Sequence, residues 1–216
     1  MLASNSPRRR ELLAIGGWSF RIFSADVDES LLPGEGPAAY VLRLAEDKAR
    51  AGAATALDRS LILAADTAVV DGEIILGKPV AAEEAVEMLE RLRGRSHQVF
   101  TGIAVFDPTS GNLLTDLCVS DVPMRDYRRD EIERYVASGD PLDKAGAYAI
   151  QHLGFHPVEK FSGCFASVMG LPLCHLARTL QHLHLPPGKD IPAGCRSELK
   201  YDCPISDAVL RGDQIG

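Results

Sequence analysis

Two spacings of apolar residues alternate along the first 185 residues: short runs that suit strands, and three-to-four-residue repeats that suit helices. "MLA" reads as a short strand leading into a helix that starts at Ser6-Pro7 and stops at Gly16-Gly17. "FRIFSADVDE" reads as a strand followed by a loop. From Ala38 to Thr55, Val41, Leu44, Ala45 and Ala49 share one helical face. "LILAAD" is continuously apolar and predicts a buried strand, and "AVVDGEII" predicts a hairpin with Asp71-Gly72 as its two turn residues. In that register Val70 faces Glu73 and Ala65 faces Lys78, which returns Lys78 beside Asp66. Ala81 to Leu92 reads as a helix. "HQVFTGIAVFD" and "LLTDLCVSDVPM" read as a strand pair around the Pro108–Asn112 turn, and Tyr127 to Ser138 as a helix ending at Gly139. Short strands at "AYAIQ" and "VEKFS" precede a last helix from Pro172 to about His182.

Hairpins mixed with crossover helices imply an α/β fold whose sheet is mixed, partly antiparallel, and flanked by helices. Residues 1–185 form the expected domain. From Pro186 onward the chain is rich in Pro, Gly and charge without periodicity, and reads as an extension or a disordered tail. Composition adds little to the fold but narrows the function. No apolar run reaches membrane-spanning length, and "SNSPRRR" interrupts any signal-peptide core, so a cytoplasmic protein is expected. The five cysteines are irregularly spaced with no C-x-x-C pair, which favours reduced thiols over a disulfide framework or a zinc site. A formal net charge of −7 argues against a general nucleic-acid binder.

Against that acidic background, Arg8, Arg9 and Arg10 stand in the first turn of a helix, where the dipole favours anions over cations. Small residues (Ala3, Ser4, Asn5, Ser6) precede them. A helix start flanked by guanidinium groups suits a phosphate ligand as well as it suits solvated arginines. Asp66 and Thr67 follow a buried strand, and a carboxylate there needs a partner, a metal or a catalytic task. "GEIILGKP" approaches a phosphate-binding loop in spelling, yet Ile74, Ile75 and Leu76 demand a strand and Pro79 replaces the magnesium-binding hydroxyl. The loop "ADVDES" brings Asp26, Asp28 and Glu29 together, as a cation site or an ordinary turn. Lys48 lies near the apolar face of its helix, and Gln151 closes "DKAGAYAIQ" with a donor and an acceptor.

Taken in order, "LASNSPRRRELL", "VLRLAEDKA", "AADTAVVDGEIILGKP", "HQVFTGIAV", "DKAGAYAIQ" and "GLPL" resemble the Maf (septum-formation) family of nucleoside triphosphate pyrophosphatases. The resemblance implies an elongated mixed sheet with a central cleft, akin to the inosine triphosphatases. It implies hydrolysis of nucleoside triphosphates to monophosphate and diphosphate with a divalent cation (Mg2+, Mn2+ or Co2+). By position, Ser4, Arg8 and Lys78 would hold the triphosphate, with Lys48 a further contact. Asp66 would accept the proton of the attacking water, and Glu29 would help hold the metal or the water, with Asp66 as a second metal ligand. Arg9, Thr67 and Gln151 occupy the positions that influence base choice, in the combination of the branch preferring dTTP and UTP, including modified pyrimidine nucleotides. Gln151 is followed by His152 where that branch usually has glycine, and "GCFASVMGLP" departs from the common loop. The resemblance also implies a homodimer, with no nucleic-acid or membrane partner. The competing readings are a non-catalytic nucleotide sensor or division-related regulator, and the same reaction on purine or modified nucleotides.

Overall fold

In a computed structural model the chain is described over residues 1–56 and 59–216. Its centre is a six-stranded sheet in the order β2-β1-β3-β5-β6, with β4 also paired to β3. β1 (Leu2–Ala3) lies parallel to β2 (Ile22–Phe23) and to β3 (Ile62–Asp71), touching the latter at the single pair Leu2 and Leu63. β3 runs antiparallel to β4 (Ile74–Leu76) and β5 (Ser96–Phe106), and β5 antiparallel to β6 (Leu113–Pro123). The expected mixed sheet is therefore present, as is the strand at Ile74–Leu76 that excludes a phosphate-binding loop there.

Along one edge β3 pairs with β5 from Ile62 to Val70, whereas on the other edge β1 meets it only at Leu63 and β4 only from Val69. The edge between those two contacts opens, and Asp66 and Thr67 lie in the opening. Both flanking chains turn into it: β1 leads into Ser4 and helix α1 (Pro7–Ile15), and β4 into Gly77 and Lys78.

Helix α2 (Pro37–Thr55) covers one face of the sheet. Its buried face combines Val41 and Leu44 with small residues, of which Ala45 and Ala49 pack among Ala3, Ile62, Ala64 and Ala104. A Cβ on Gly102 of β5 would stand 2.8 Å from the Val41 carbonyl oxygen, and one on Gly52 2.8 Å from Ile62. Glycine lets the sheet meet the helix backbone to backbone at Gly102 and lets the helix backbone meet the Ile62 side chain at Gly52. The opposite face is covered by α6 (Leu173–Gln181), with α5 (Phe165–Val168) beside it. Further along, α3 (Ala82–Leu92) and α4 (Arg129–Ala137) close a second core around Leu89, Tyr127 and Ile132.

Three local expectations are corrected. The hairpin pairs Val69 with Leu76, Val70 with Ile75 and Asp71 with Ile74, so the turn is Gly72-Glu73 rather than Asp71-Gly72. Asp71 is a ladder residue because its buried carboxylate receives Arg91 Nε and Arg95 Nη2, each at 2.6 Å. Gly72, at φ +66°, takes the left-handed turn position. "AYAIQ" forms no strand: a 3-10 turn at Ala145–Ala147 carries Gly146 at φ +68° and Ala147 at φ +59°, and "VEKFS" contributes one isolated bridge between Val158 and Met124. Residues 186–216, read as an extension or a disordered tail, carry α7 (Ile191–Leu199) and α8 (Ser206–Leu210), which bury Ile191, Cys195 and Val209 in the core beneath α6.

Candidate active site

Ser6 caps α1 as the sequence suggests, its hydroxyl accepting from Arg9 N at 3.4 Å. The cap fixes where Arg8 and Arg9 project, and both line one cavity of about 610 Å³. That size suits a nucleotide-scale ligand. Ser4, Glu29, Lys48, Asp66, Thr67, Lys78 and Gln151 line the same cavity, so all nine candidate positions converge. Asp26 and Asp28 do not. Asp28 instead accepts from Ser30 N at 2.9 Å, an ordinary turn closure.

The acidic side is organised by α2. Lys48 Nζ lies 2.6 Å from Asp66 Oδ1 and 2.6 Å from Glu29 Oε1. Earlier on the helix, Tyr40 donates to the Glu29 carbonyl at 2.9 Å, and Arg43 grips Glu35 and the Ser30 carbonyl. The loop bearing Glu29 is thus tied to the helix that carries Lys48. Burial alone would raise the Glu29 pKa; the Lys48 hydrogen bond and the charges of Lys48, Lys78 and Arg9 outweigh it and hold the carboxyl below its usual value.

The three consecutive arginines separate into distinct environments. Arg9 is pinned, donating through Nε to the Gly170 carbonyl at 2.9 Å, through Nη2 to Thr67 Oγ1 at 3.2 Å and through Nη1 to Ser4 Oγ at 3.5 Å. Burial lowers its pKa, with the charge of Asp66 acting in the opposite direction. Arg8 and Lys78 face the cavity with no hydrogen bond or ion pair to any described residue. Ser4 Oγ accepts from both Arg9 and Ser6 N, which leaves its own proton to point into the cavity. Lys78 is not in a strand position opposite Asp66, because the hairpin register moves and β4 stops at Leu76; it reaches the cavity from the segment that follows.

Gln151 lines the cavity, whereas His152 turns away: its ring packs on Tyr135 at 4.7 Å between centroids, and its Nδ1 accepts from Phe155 N at 2.9 Å. The substitution of His152 for glycine therefore leaves the cavity wall untouched. From the altered loop, Val168, Met169 and Gly170 contribute to the wall. Sequence reasoning missed Tyr40, Tyr148 and Lys144 as lining residues. Lys144 had a signal, since "DKAGAYAIQ" was singled out; it is neutralised by Asp140 and Asp143. Tyr148 lies in the same stretch, where it looks like core before a buried run, and Tyr40 looks like core on an amphipathic helix.

The sequence profile described as "Maf-like protein" matches residues 1–183. The chain is 46% identical over 183 residues to the dTTP/UTP pyrophosphatase of Geobacter sulfurreducens, covering 85% of this chain and 95% of that protein. It is 45% identical over 189 residues to the dTTP/UTP pyrophosphatase of Pseudoalteromonas atlantica, with 86% and 97% covered. It is 46% identical over 183 residues to that of Desulforamulus reducens, with 84% and 94% covered. With the profile spanning most of the chain and the relatives matched nearly end to end, this protein belongs to the Maf family.

Proposed function

We propose that this chain is a nucleoside triphosphate pyrophosphatase, a hydrolase that cleaves dTTP and UTP between the α- and β-phosphates to give the monophosphate and diphosphate. The observation that carries the reading is an imbalance of charge. In a protein of net charge −7, Arg8 and Lys78 enter one cavity with no carboxylate partner, facing the paired carboxylates Asp66 and Glu29. A triphosphate, with about four negative charges, supplies what those cations lack.

Arg8, Lys78 and the Ser4 hydroxyl bind the phosphate oxygens, with Lys48 a further contact, and draw charge from the phosphorus under attack. Asp66 spends Oδ1 on Lys48 and keeps Oδ2 to accept the proton of the attacking water. Lys48 holds that carboxylate in place on β3. Arg9, Thr67 and Gln151 meet the base. Glu29 likewise gives one oxygen to Lys48 and keeps the other. Two free carboxylate oxygens fit a hard divalent cation such as Mg2+, Mn2+ or Co2+, held mainly by the substrate's phosphates and water. Among the described residues no group of three or more His, Cys, Asp or Glu side chains is placed to hold an ion alone. Such an ion supplies Lewis-acid neutralisation of the phosphates.

Among the described residues no helix is long and apolar enough to cross a membrane. A cytoplasmic homodimer acting on free nucleotides, modified pyrimidine nucleotides included, completes the proposal. Diphosphate release from dTTP, UTP, CTP, dATP and GTP, each with Mg2+, Mn2+ and Co2+, tests it. Diphosphate and monophosphate in equal amounts from dTTP and UTP are expected. Release of orthophosphate instead, or binding of nucleotide without turnover, overturns the reading and in the second case favours a sensor.

A further inference from the structure

Thr101 lies on β5 directly opposite Thr67 on β3, fully buried behind the cavity wall. Its hydroxyl lies 2.9 Å from the Ser167 carbonyl and 3.0 Å from Thr67 Oγ1. A carbonyl only accepts, so the single Thr101 proton goes to Ser167. In the contact between the two hydroxyls Thr101 is then the acceptor, and Thr67 must donate its only proton to it. On the other side of Thr67, Arg9 Nη2 lies 3.2 Å away and only donates. Thr67 therefore enters the cavity with no proton to give and one lone pair to offer. A threonine, which ordinarily donates or accepts at will, is fixed here as an acceptor beside the guanidinium of Arg9.

We propose that Thr101 is a positioning residue for base selection: by taking the Thr67 proton, it makes the wall of the site accept a hydrogen bond from the base and refuse to donate one. Uracil and thymine present an N3–H donor between two carbonyl acceptors. An acceptor at Thr67 flanked by donors on Arg9 is complementary to that edge. Cytosine presents a bare N3 and meets lone pair with lone pair, an unmatched contact that a buried site penalises heavily. This inference rests on the dTTP/UTP reading above and assigns part of its selectivity to a residue that never touches the nucleotide.

The test is the ratio of kcat/KM for UTP over CTP. Thr101→Val removes the hydroxyl and frees the Thr67 proton to turn toward cytosine N3. The ratio is expected to fall about tenfold or more, chiefly through KM. Thr101→Ser, which keeps the hydroxyl, should restore the ratio; a purely packing role for Thr101 would not distinguish serine from valine in this way. An unchanged ratio in an active, folded Thr101→Val protein overturns the proposal. The unaltered enzyme provides a check that needs no variant. UTP methylated at N3 has no N–H to offer and should react at least tenfold less well than UTP, and equal turnover of the two again overturns it. Turnover of no nucleotide at all removes the pyrophosphatase reading and this one with it, whereas turnover with an unaltered ratio removes only the role of Thr101.

Discussion

Lys48 touches two carboxylates at 2.6 Å, and that single ammonium decides how the acidic side of the site behaves. Replacing Asp66 by Asn removes the proposed proton acceptor, the carboxylate that β3 presents to the cavity, while leaving Lys48 paired with Glu29. Asp66→Asn should lower kcat by about a thousandfold or more, in the upper range for a lost general base, with little change in Tm. Diphosphate release together with a melting curve checks it, and turnover near that of the unaltered protein would remove Asp66 from the chemistry. Arg8→Ala, by contrast, deletes a cation with no protein partner, so it should raise KM and lower kcat without destabilising the fold. His97 belongs to the same scale but acts on stability. It is buried, its Nε2 pairs with Tyr148 Oη at 2.8 Å, and burial pushes its pKa down to about 4. Between pH 6.5 and 4 the unfolded chain binds a proton that the folded chain does not, so this contribution is present above pH 6.5 and lost as pH falls toward 4. At ~1.4 kcal/mol per pH unit the loss is about 3 kcal/mol. Thermal melts across that range should fall less steeply for His97→Gln than for the unaltered protein. At this scale Arg8, Arg9 and Asp66 announce themselves through charge in the wrong place and Lys78 through the return of the hairpin, whereas Ser4 stands out only through the family resemblance. Thr101 and Tyr148 look like core and are found only from their neighbours.

At the scale of elements, periodicity located the long helices and strands, and tertiary contacts decided what it misread. The Asp71-Gly72 pair is a strong turn signal, yet the hairpin closes one residue later, because Arg91 and Arg95 hold the Asp71 carboxylate inside the sheet. "AYAIQ" has strand-like composition, but a Cβ on Gly146 would sit 2.8 Å from Val69, and that close approach bends the segment into a 3-10 turn. The same logic of close approach governs α2. Lys48 reaches Asp66 only because the helix backbone lies directly on Gly102, the residue paired with Asp66 across the sheet. Gly102→Ala puts a methyl 2.8 Å from the Val41 carbonyl oxygen, where the obstacle is backbone and cannot swing aside. The expected cost is about 1–3 kcal/mol, a fall in Tm of roughly 2–12 °C. Activity of the folded protein should fall further than stability, since the displaced helix carries Lys48 and the Tyr40 anchor of Glu29. A variant with full activity and unchanged Tm would show that the helix has room to yield.

Across the whole molecule, the segment after Pro186 is the part whose sequence said least and whose contacts say most. Its apolar residues are too few for a periodic stripe, because its two helices are short and each buries one or two side chains. Those side chains nevertheless complete the cover over α6, and the chain end is tied down as well. Arg178, paired with Asp116 on β6, donates to the Asp213 carbonyl at 2.5 Å; His175 meets the Ile215 carbonyl at 3.0 Å; and Val119 N on β6 donates to the Gly216 carbonyl. Gly216 therefore occupies the Val119 N–H on β6, an outer strand of the sheet, that would otherwise face water or another chain. None of residues 186–216 lines the cavity. Truncation after residue 186 should separate stability from chemistry. Uncovering Ile191, Cys195 and Val209's share of the core forfeits about 5 kcal/mol at roughly 1.5–3 kcal/mol per buried aliphatic side chain, a fall in Tm of about 10 °C or more. At a temperature where both forms are folded, kcat/KM for UTP should be the same. Light scattering should reveal association of the truncated form through the bared edge of β6. A truncated chain that melts with the full one would mean that α7 and α8 merely rest on the surface of α6, and loss of turnover in a folded truncated chain would mean that the cover on α6 holds the catalytic wall in place.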